Sequence, residues 1–224
     1  MATATAKKKS TGKSDLAQKI RREYMKYRLE NGTDPTSIYS FATQNLKIEE
    51  SQFYEHYNSF LNIESGIWLD TFKTTEAKLL ADKTFQGYSA QEKLLALFYT
   101  LFEDLKTQRS FFILSFQKRD KLPVRPKFMD AFYDAYTNFI KDIINQGAES
   151  GEISKRPESI QNNYYRLVWG QFIFLFDFWV KDTSKNFEDT DAAIEKSVNL
   201  LFELVGKNIV DNVFDFAKFL IQRR

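Results

Sequence analysis

Few residues in this chain could do acid–base or nucleophilic chemistry. There is one histidine, His56, and no cysteine, which removes thiolate chemistry, disulfides and histidine-based metal sites. No partner for acid–base catalysis can be placed beside His56. The acid pairs Glu49/Glu50 and Glu103/Asp104 are sequence neighbours, and on a helix positions i and i+1 point apart, so neither pair forms a two-carboxylate site. No Gly-rich phosphate loop, metal-ligand cluster or nucleophile motif occurs. The expectation is a protein that is not an enzyme and that uses neither metal nor cofactor. What remains is a chemistry of contact. Hydroxyl, amide and amine groups gather in residues 35–57, PTSIYSFATQNLKIEESQFYEHY, and the N-terminus carries Lys7, Lys8, Lys9 and Lys13.

The elements that would position these groups are helical. Aromatics make up 16% of the chain, with 22 Phe, while Gly is 8 and Pro 4. That is too apolar for a disordered chain and too poor in turn residues for a β-rich fold. An all-α fold with a sizeable core follows. The longest apolar run, near Phe172–Val180, is broken by Asp177 and is too short to cross a bilayer, so no membrane insertion is expected. No apolar stretch follows the N-terminal lysines, so they do not head a signal peptide. The lack of cysteine suits a reducing cytoplasm.

Residues 1–13, rich in Ala, Thr and Lys, read as a disordered basic arm. A first helix starts at the cap Ser14, carries Leu16, Ile20, Tyr24 and Tyr27 on one face, and ends at Asn31-Gly32. Asp34 reads as an N-cap and Pro35 as the first position of a second helix with Ile38, Phe41 and Ala42 inward. The turn is Asn45-Leu46-Lys47-Ile48. A third helix spans about Glu49 to His56, with Phe53 and Tyr57 inward. These elements form a small domain over 14–61, and residues 62–224 form a larger helical one. In the latter, helices are expected at about 62–83, from Ser89 (whose pairing with Glu92 makes a capping box), at 126–146 with Gly147 and Gly151 as terminators, at 158–180 and at 191–221, while Ser110–Lys118 reads as a short apolar segment whose loop Pro123 and Pro126 close. The helix over 158–180, with Leu167, Val168, Trp169, Phe172, Ile173 and Phe176, is apolar over most of its circumference and must be covered on all sides. That implies a helix–helix dimer interface, a ligand cavity, or both. The last helix carries Ile194, Val198, Leu201, Phe202, Val205, Ile209 and Val213.

The layout of residues 35–57, and Phe53-Tyr54-Glu55-His56-Tyr57 in particular, resembles the helix-turn-helix of TetR-like transcriptional regulators, whose pattern there is Leu-Tyr-x-His-Phe. The resemblance implies a three-helix DNA-binding head and a helical body that binds a ligand and forms a homodimer through its last two helices. It places Tyr54 and His56 toward the phosphates of double-stranded operator DNA and Ser51 and Gln52 toward the bases, with Lys47 in the turn. Lys7, Lys8, Lys9 and Lys13 would be a backbone or minor-groove arm, and a solvated tail is the plainer reading of the same run. The chain departs from the family at three places. Lys47 stands where the family usually has Gly. Glu49 and Glu50 stand where it has a Ser/Thr cap and often a basic residue. Asn58–Asn62 is about three residues longer than the usual link, so that Ile63 takes the place of a phosphate-binding Lys. Charge follows the same division: residues 1–28 hold nine Lys/Arg against two acids, whereas residues 29–60 hold Lys47 against five acids.

In the body, Phe102, Phe112, Phe116, Phe132, Tyr136, Tyr165, Trp169 and Phe172 are either core or the lining of a lipophilic pocket for a hydrophobic small molecule or lipid. Asp177 is either a solvated notch or a buried polar anchor. The functional expectation is a regulator controlled by a hydrophobic effector. The alternative is a lipid-binding protein of the same fold that has lost DNA binding, which the acidic third helix and the Phe-rich body both fit.

Overall fold

A computed structural model describes residues 2–117, 125–155 and 157–206, and among them there is no β-strand. The helices are α1 (Ala2–Asn31), α2 (Ile38–Ser40), α3 (Glu50–Tyr54), α4 (Phe60–Ala81), α5 (Ala90–Lys106), α6 (Arg109–Gln117), α7 (Asp130–Ser150), α8 (Glu158–Lys181) and α9 (Glu188–Gly206). The all-α class expected from composition holds. Lys118 and Pro123, and Ile209 and Val213 with the end of the expected last helix, lie outside the described residues, as do the side chains of Lys7, Lys8, Lys9 and Lys13.

The chain divides into two compact units. Unit 1 comprises Met1–Thr71 and Leu105–Phe132, and unit 2 comprises Phe72–Asp104 and Tyr133–Arg224. The boundary expected between 61 and 62 therefore falls inside unit 1. The physical reason is a set of buried contacts between the start of α4 and α6. Trp68 packs edge-on to Phe112 at 4.8 Å, and its Nε1–H donates to Ser115 Oγ at 3.0 Å.

In unit 1, α1 starts at Ala2 instead of Ser14. Residues 2–13 contain good helix formers and no Pro, so the helix continues through the expected arm. It stops where the sequence places the stop. Gly32 takes φ +72°, and its N–H donates to Arg28 O at 2.8 Å. Asp34 is not a cap. Ser37 is, with its Oγ accepting from Ser40 N at 3.1 Å, and α2 runs on through wider π-type turns over Phe41–Leu46. Tyr24, Phe41, Phe53 and Phe60 form the aromatic core of the head. Tyr24 is stacked on Phe60 at 5.7 Å, and Phe41 lies edge-on to Phe60 at 5.7 Å and to Phe53 at 6.4 Å.

Unit 2 is built on the second half of α4 with α5, α7, α8 and α9. Phe72, Phe102, Tyr136, Phe172 and Trp179 are buried in it. The Ser89/Glu92 capping box is present: Ser89 N donates to Glu92 Oε2 at 2.8 Å and Glu92 N to Ser89 Oγ at 3.2 Å. Gly147 does not end a helix but lies within α7, where an added Cβ would meet Ile153 at 2.8 Å and Ala90 at 2.9 Å. Gly151, at φ +85°, follows the helix end.

Candidate functional site

The turn between α2 and α3 sets the geometry of the outward surface. Lys47 adopts the left-handed conformation, φ 56° and ψ 46°, which the resemblance expects of a glycine. The backbone there is held from both sides. Ile48 N donates to Ala42 O at 3.0 Å, and Lys19 Nζ of α1 donates to Leu46 O at 2.8 Å. Sequence reasoning missed Lys19, because a lysine bound to a carbonyl 27 residues away leaves no periodic signal.

From this turn α3 emerges with Phe53 and Tyr57 inward and buried, as their spacing requires. Ser51, Gln52 and Tyr54 are exposed, and His56 is half-buried. Glu49 takes the cap position in extended conformation. Its N–H donates to Gln52 Oε1 at 3.1 Å, and Gln52 N donates to Glu49 O at 3.0 Å. A carboxylate at the first turn suits the helix dipole. The same arrangement engages the oxygen of Gln52, one of the two residues assigned to the bases. Tyr54 OH lies 3.5 Å from Glu50 Oε1. Tyr39, 63% exposed on α2, was not among the expected contact residues. Its signal was available, since a stripe of Ile38, Phe41 and Ala42 leaves position 39 on the opposite face.

The electrostatics of this surface are mixed. Glu49, Glu50 and Glu55 flank the outward positions, with Lys47 exposed among them. Arg21 is ion-paired with Asp70 and donates to Tyr57 OH. Ile63 is fully buried, and Ser59 Oγ accepts from Asn62 N at 3.2 Å at the start of α4, so position 63 does not present a side chain outward.

The eight aromatic candidates for a ligand site separate into two groups. Phe112, Phe116 and Phe132 belong to unit 1, where Phe112 and Phe132 both touch Trp68. Phe102, Tyr136, Tyr165, Trp169 and Phe172 belong to unit 2. There Phe172 is the hub, 5.3 Å from Trp169, 5.7 Å from Tyr136 and 6.3 Å from Phe102. Tyr165 is half-buried, with Lys141 Nζ 5.6 Å over its ring. Tyr136 is completely buried, its OH donating to Val168 O at 3.2 Å, and burial raises its pKa well above the usual phenol range.

Asp177 is only half-buried and lines a recess of about 420 Å³ with Phe174, Phe178, Lys181, Asp182, Thr183 and Asp189. The buried polar anchor of this region is Asp182 instead, which accepts from Ser184 N at 2.7 Å and Thr190 N at 2.9 Å. Besides Phe174 and Phe178 at the recess, α8 exposes Leu167, and α9 exposes Leu200 and Leu204. These positions recur at helical spacing and form apolar stripes on both helices. Among the described residues, no helix is long and apolar enough to cross a membrane, and no cluster of His, Cys, Asp or Glu could hold a metal ion.

Two comparisons bear on these features. No curated protein matches the chain. The family described as "Tetracyclin repressor-like, C-terminal domain" matches residues 93–220, more than half of the sequence and most of the body. With the helical architecture around it, that match establishes that the chain belongs to the tetracyclin repressor-like (TetR-like) family.

Proposed function

We propose that this protein is a dimeric DNA-binding transcriptional regulator whose operator affinity is set by a hydrophobic effector. The observation that carries the reading is the head. A three-helix unit with its own aromatic core presents Ser51, Gln52 and Tyr54 outward, behind a turn held in the left-handed conformation at Lys47. The exposed stripes of α8 and α9 support pairing with a second copy, which would present two heads to DNA. Those heads must lie about one helical turn apart or a multiple of it, roughly 34–36 Å. Lys47, Tyr54 and His56 take phosphate-side roles with the N-terminal lysines Lys7, Lys8, Lys9 and Lys13, and Ser51 and Gln52 face the bases. An effector among the aromatic side chains of the body would act through different affinities for two head spacings. Fluorescence anisotropy of the dimer with DNA from the gene's own upstream region, at low salt, tests this. Saturable binding that weakens steeply as salt rises is the expected result. No binding by a folded dimer would overturn it.

A second reading keeps the fold and removes the DNA. Glu49, Glu50 and Glu55 favour it, because carboxylates facing phosphates repel them. In that case the body is a lipid carrier. Native mass spectrometry of the purified protein separates the two, since a co-purifying lipid in a protein without DNA affinity selects the carrier.

A further inference from the structure

The recess at the corner between α8 and α9 has features that none of the roles above uses. Its volume of about 420 Å³ lies within the range of small-molecule sites. All of its lining belongs to unit 2. Phe174 and Phe178, one turn apart on α8, line it as exposed rings 6.3 Å apart. Asp182 lines it as a buried carboxylate. It accepts from Ser184 N at 2.7 Å, from Thr190 N at 2.9 Å and from Thr190 Oγ1 at 2.5 Å. Burial alone would raise its pKa, but these hydrogen bonds hold it at about 2, so it is charged at neutral pH.

The donors to Asp182 are all neutral, and among the described residues no ion pair reaches it. A buried charge is costly without a counter-ion. Asp189, in the first turn of α9, adds a second carboxylate, which is exposed. Lys181 is the one cation of the lining among the described residues, and it is exposed, so its long stem carries the ammonium into water. Asp177, also in the lining, has an interaction of its own. The corner is strained. Asn186 and Phe187 stand in succession at φ 57° and φ 66°, which for a bulky ring is a true outlier. Such strain persists where the surrounding structure imposes it, and it gathers at binding sites. Here it belongs to the turn that brings Asp182, after α8, and Asp189, in α9, to one recess.

We propose that this recess binds an organic cation, a small amine or quaternary ammonium with an apolar body. The faces of Phe174 and Phe178 would hold the body and the charged head by cation–π attraction, and Asp182 and Asp189 would supply the counter-charge. An anion would meet two carboxylates, and a neutral molecule would leave the charge of Asp182 uncompensated. The lining shares no residue with the aromatic hub around Phe172, and the site is independent of whether the head binds DNA. It does share Phe174 and Phe178 with the stripe that pairing would cover, so the test must separate the two.

Isothermal titration calorimetry of the full-length protein tests it, with benzyltrimethylammonium, benzyl alcohol and benzoate as probes. The parent is compared with Leu200→Glu, a change on α9 outside the recess that opposes pairing. The cation should bind saturably, at least about tenfold more tightly than the alcohol or benzoate. Asp182→Asn keeps the shape and removes the charge, and it should weaken the cation about fivefold or more. Asp189→Asn and Phe178→Leu should each weaken it about threefold. Binding seen only in Leu200→Glu supports the site and shows that pairing covers it, while sedimentation of the same samples reports pairing by itself. The proposal is overturned if neither protein binds the cation, if benzyl alcohol binds as tightly, or if folded Asp182→Asn keeps the parent affinity. Should Asp182→Asn fail to fold, unchanged affinity in both Asp189→Asn and Phe178→Leu overturns it.

Discussion

Lys47 holds a left-handed conformation that a side chain pays for with roughly 1 kcal/mol relative to glycine, and the chain tolerates it because Lys19 and Ala42 fix the turn from both sides. Lys47→Gly should therefore stabilise the fold by about 0.5–1 kcal/mol, partly offset by greater freedom of the unfolded chain, and raise the melting temperature by up to about 4 °C. The same substitution should weaken any DNA binding, because it deletes an exposed cation beside three glutamates. Opposite signs in thermal denaturation and DNA titration would assign the two roles of one residue. A melting temperature that falls would refute the strain argument. Gly147 is the converse case. With Ile153 and Ala90 within 2.9 Å of where a Cβ would stand, Gly147→Ala overpacks α7 against its neighbours. It should cost about 1–3 kcal/mol in urea denaturation despite the better helix propensity of alanine. At this scale the sequence was legible where a local rule acts alone, as with Ser89 and Glu92, whose capping box forms. It misled where a distant partner competes. Asp34 has the type and place of an N-cap, yet Arg28 and Tyr24 claim its oxygen, and Ser37 caps α2 in its stead.

Elements follow the same logic, because most helix boundaries were readable from apolar spacing and stop signals, while their termini depend on groups that spacing cannot identify. The start of α9 is an example. Its amide of Thr190 donates to Asp182 Oδ2, and Asp189 N donates to Ser184 Oγ at 3.1 Å, so residues before the intervening 3-10 turn satisfy the first turn of the helix. Burial alone would raise the pKa of Asp182. The hydrogen bonds from Ser184 and Thr190 outweigh it and hold the carboxyl at about 2. A carboxylate depressed in the folded state stabilises the fold above its unfolded value of 3.8, and this contribution fades as pH falls from about 4 through about 2. Asp182→Asn keeps the shape and removes the charge. It should cost about 1–2 kcal/mol at pH 7, and the gap from the parent should narrow between pH 4 and pH 2. Urea midpoints measured across that range check it, and a gap constant with pH would remove the charge from the argument. The acidic third helix was likewise visible in the sequence, but not the use to which Glu49 is put. In the fold its N–H is joined to the Gln52 side chain.

At the scale of the whole molecule the division into units was the least readable feature. It depends on Glu64, Trp68 and Ser115 meeting across about fifty residues of chain, and no periodicity marks such a pair. The apolar circumference of α8, by contrast, was written in its composition, and the exposed stripes are the surface that the proposed pairing would cover. Leu167, Phe174 and Phe178 on α8 and Leu200 and Leu204 on α9 are at least 36% exposed, and Phe174 and Phe178 lie ring to ring at 6.3 Å. A stable pairing of two chains needs roughly 1,000 Å² or more of well-packed area, centred on large apolar anchors. Phe174 is the strongest candidate for such an anchor, being both large and more than half exposed. In a two-fold pairing each substitution acts twice, so Phe174→Glu would place two carboxylates against an apolar partner surface at a desolvation cost of several kcal/mol. The expected outcome in analytical ultracentrifugation is a dimer for the parent chain and a monomer for Phe174→Glu at micromolar concentration. The circular dichroism of the monomer should stay that of the parent, because the replaced ring already faces outward. Tyr39→Glu, a change at a ring 63% exposed on α2 in unit 1, serves as the charge control and should remain dimeric. A parent chain that sediments as a monomer would refute the paired arrangement, and operator recognition through two heads would fail with it.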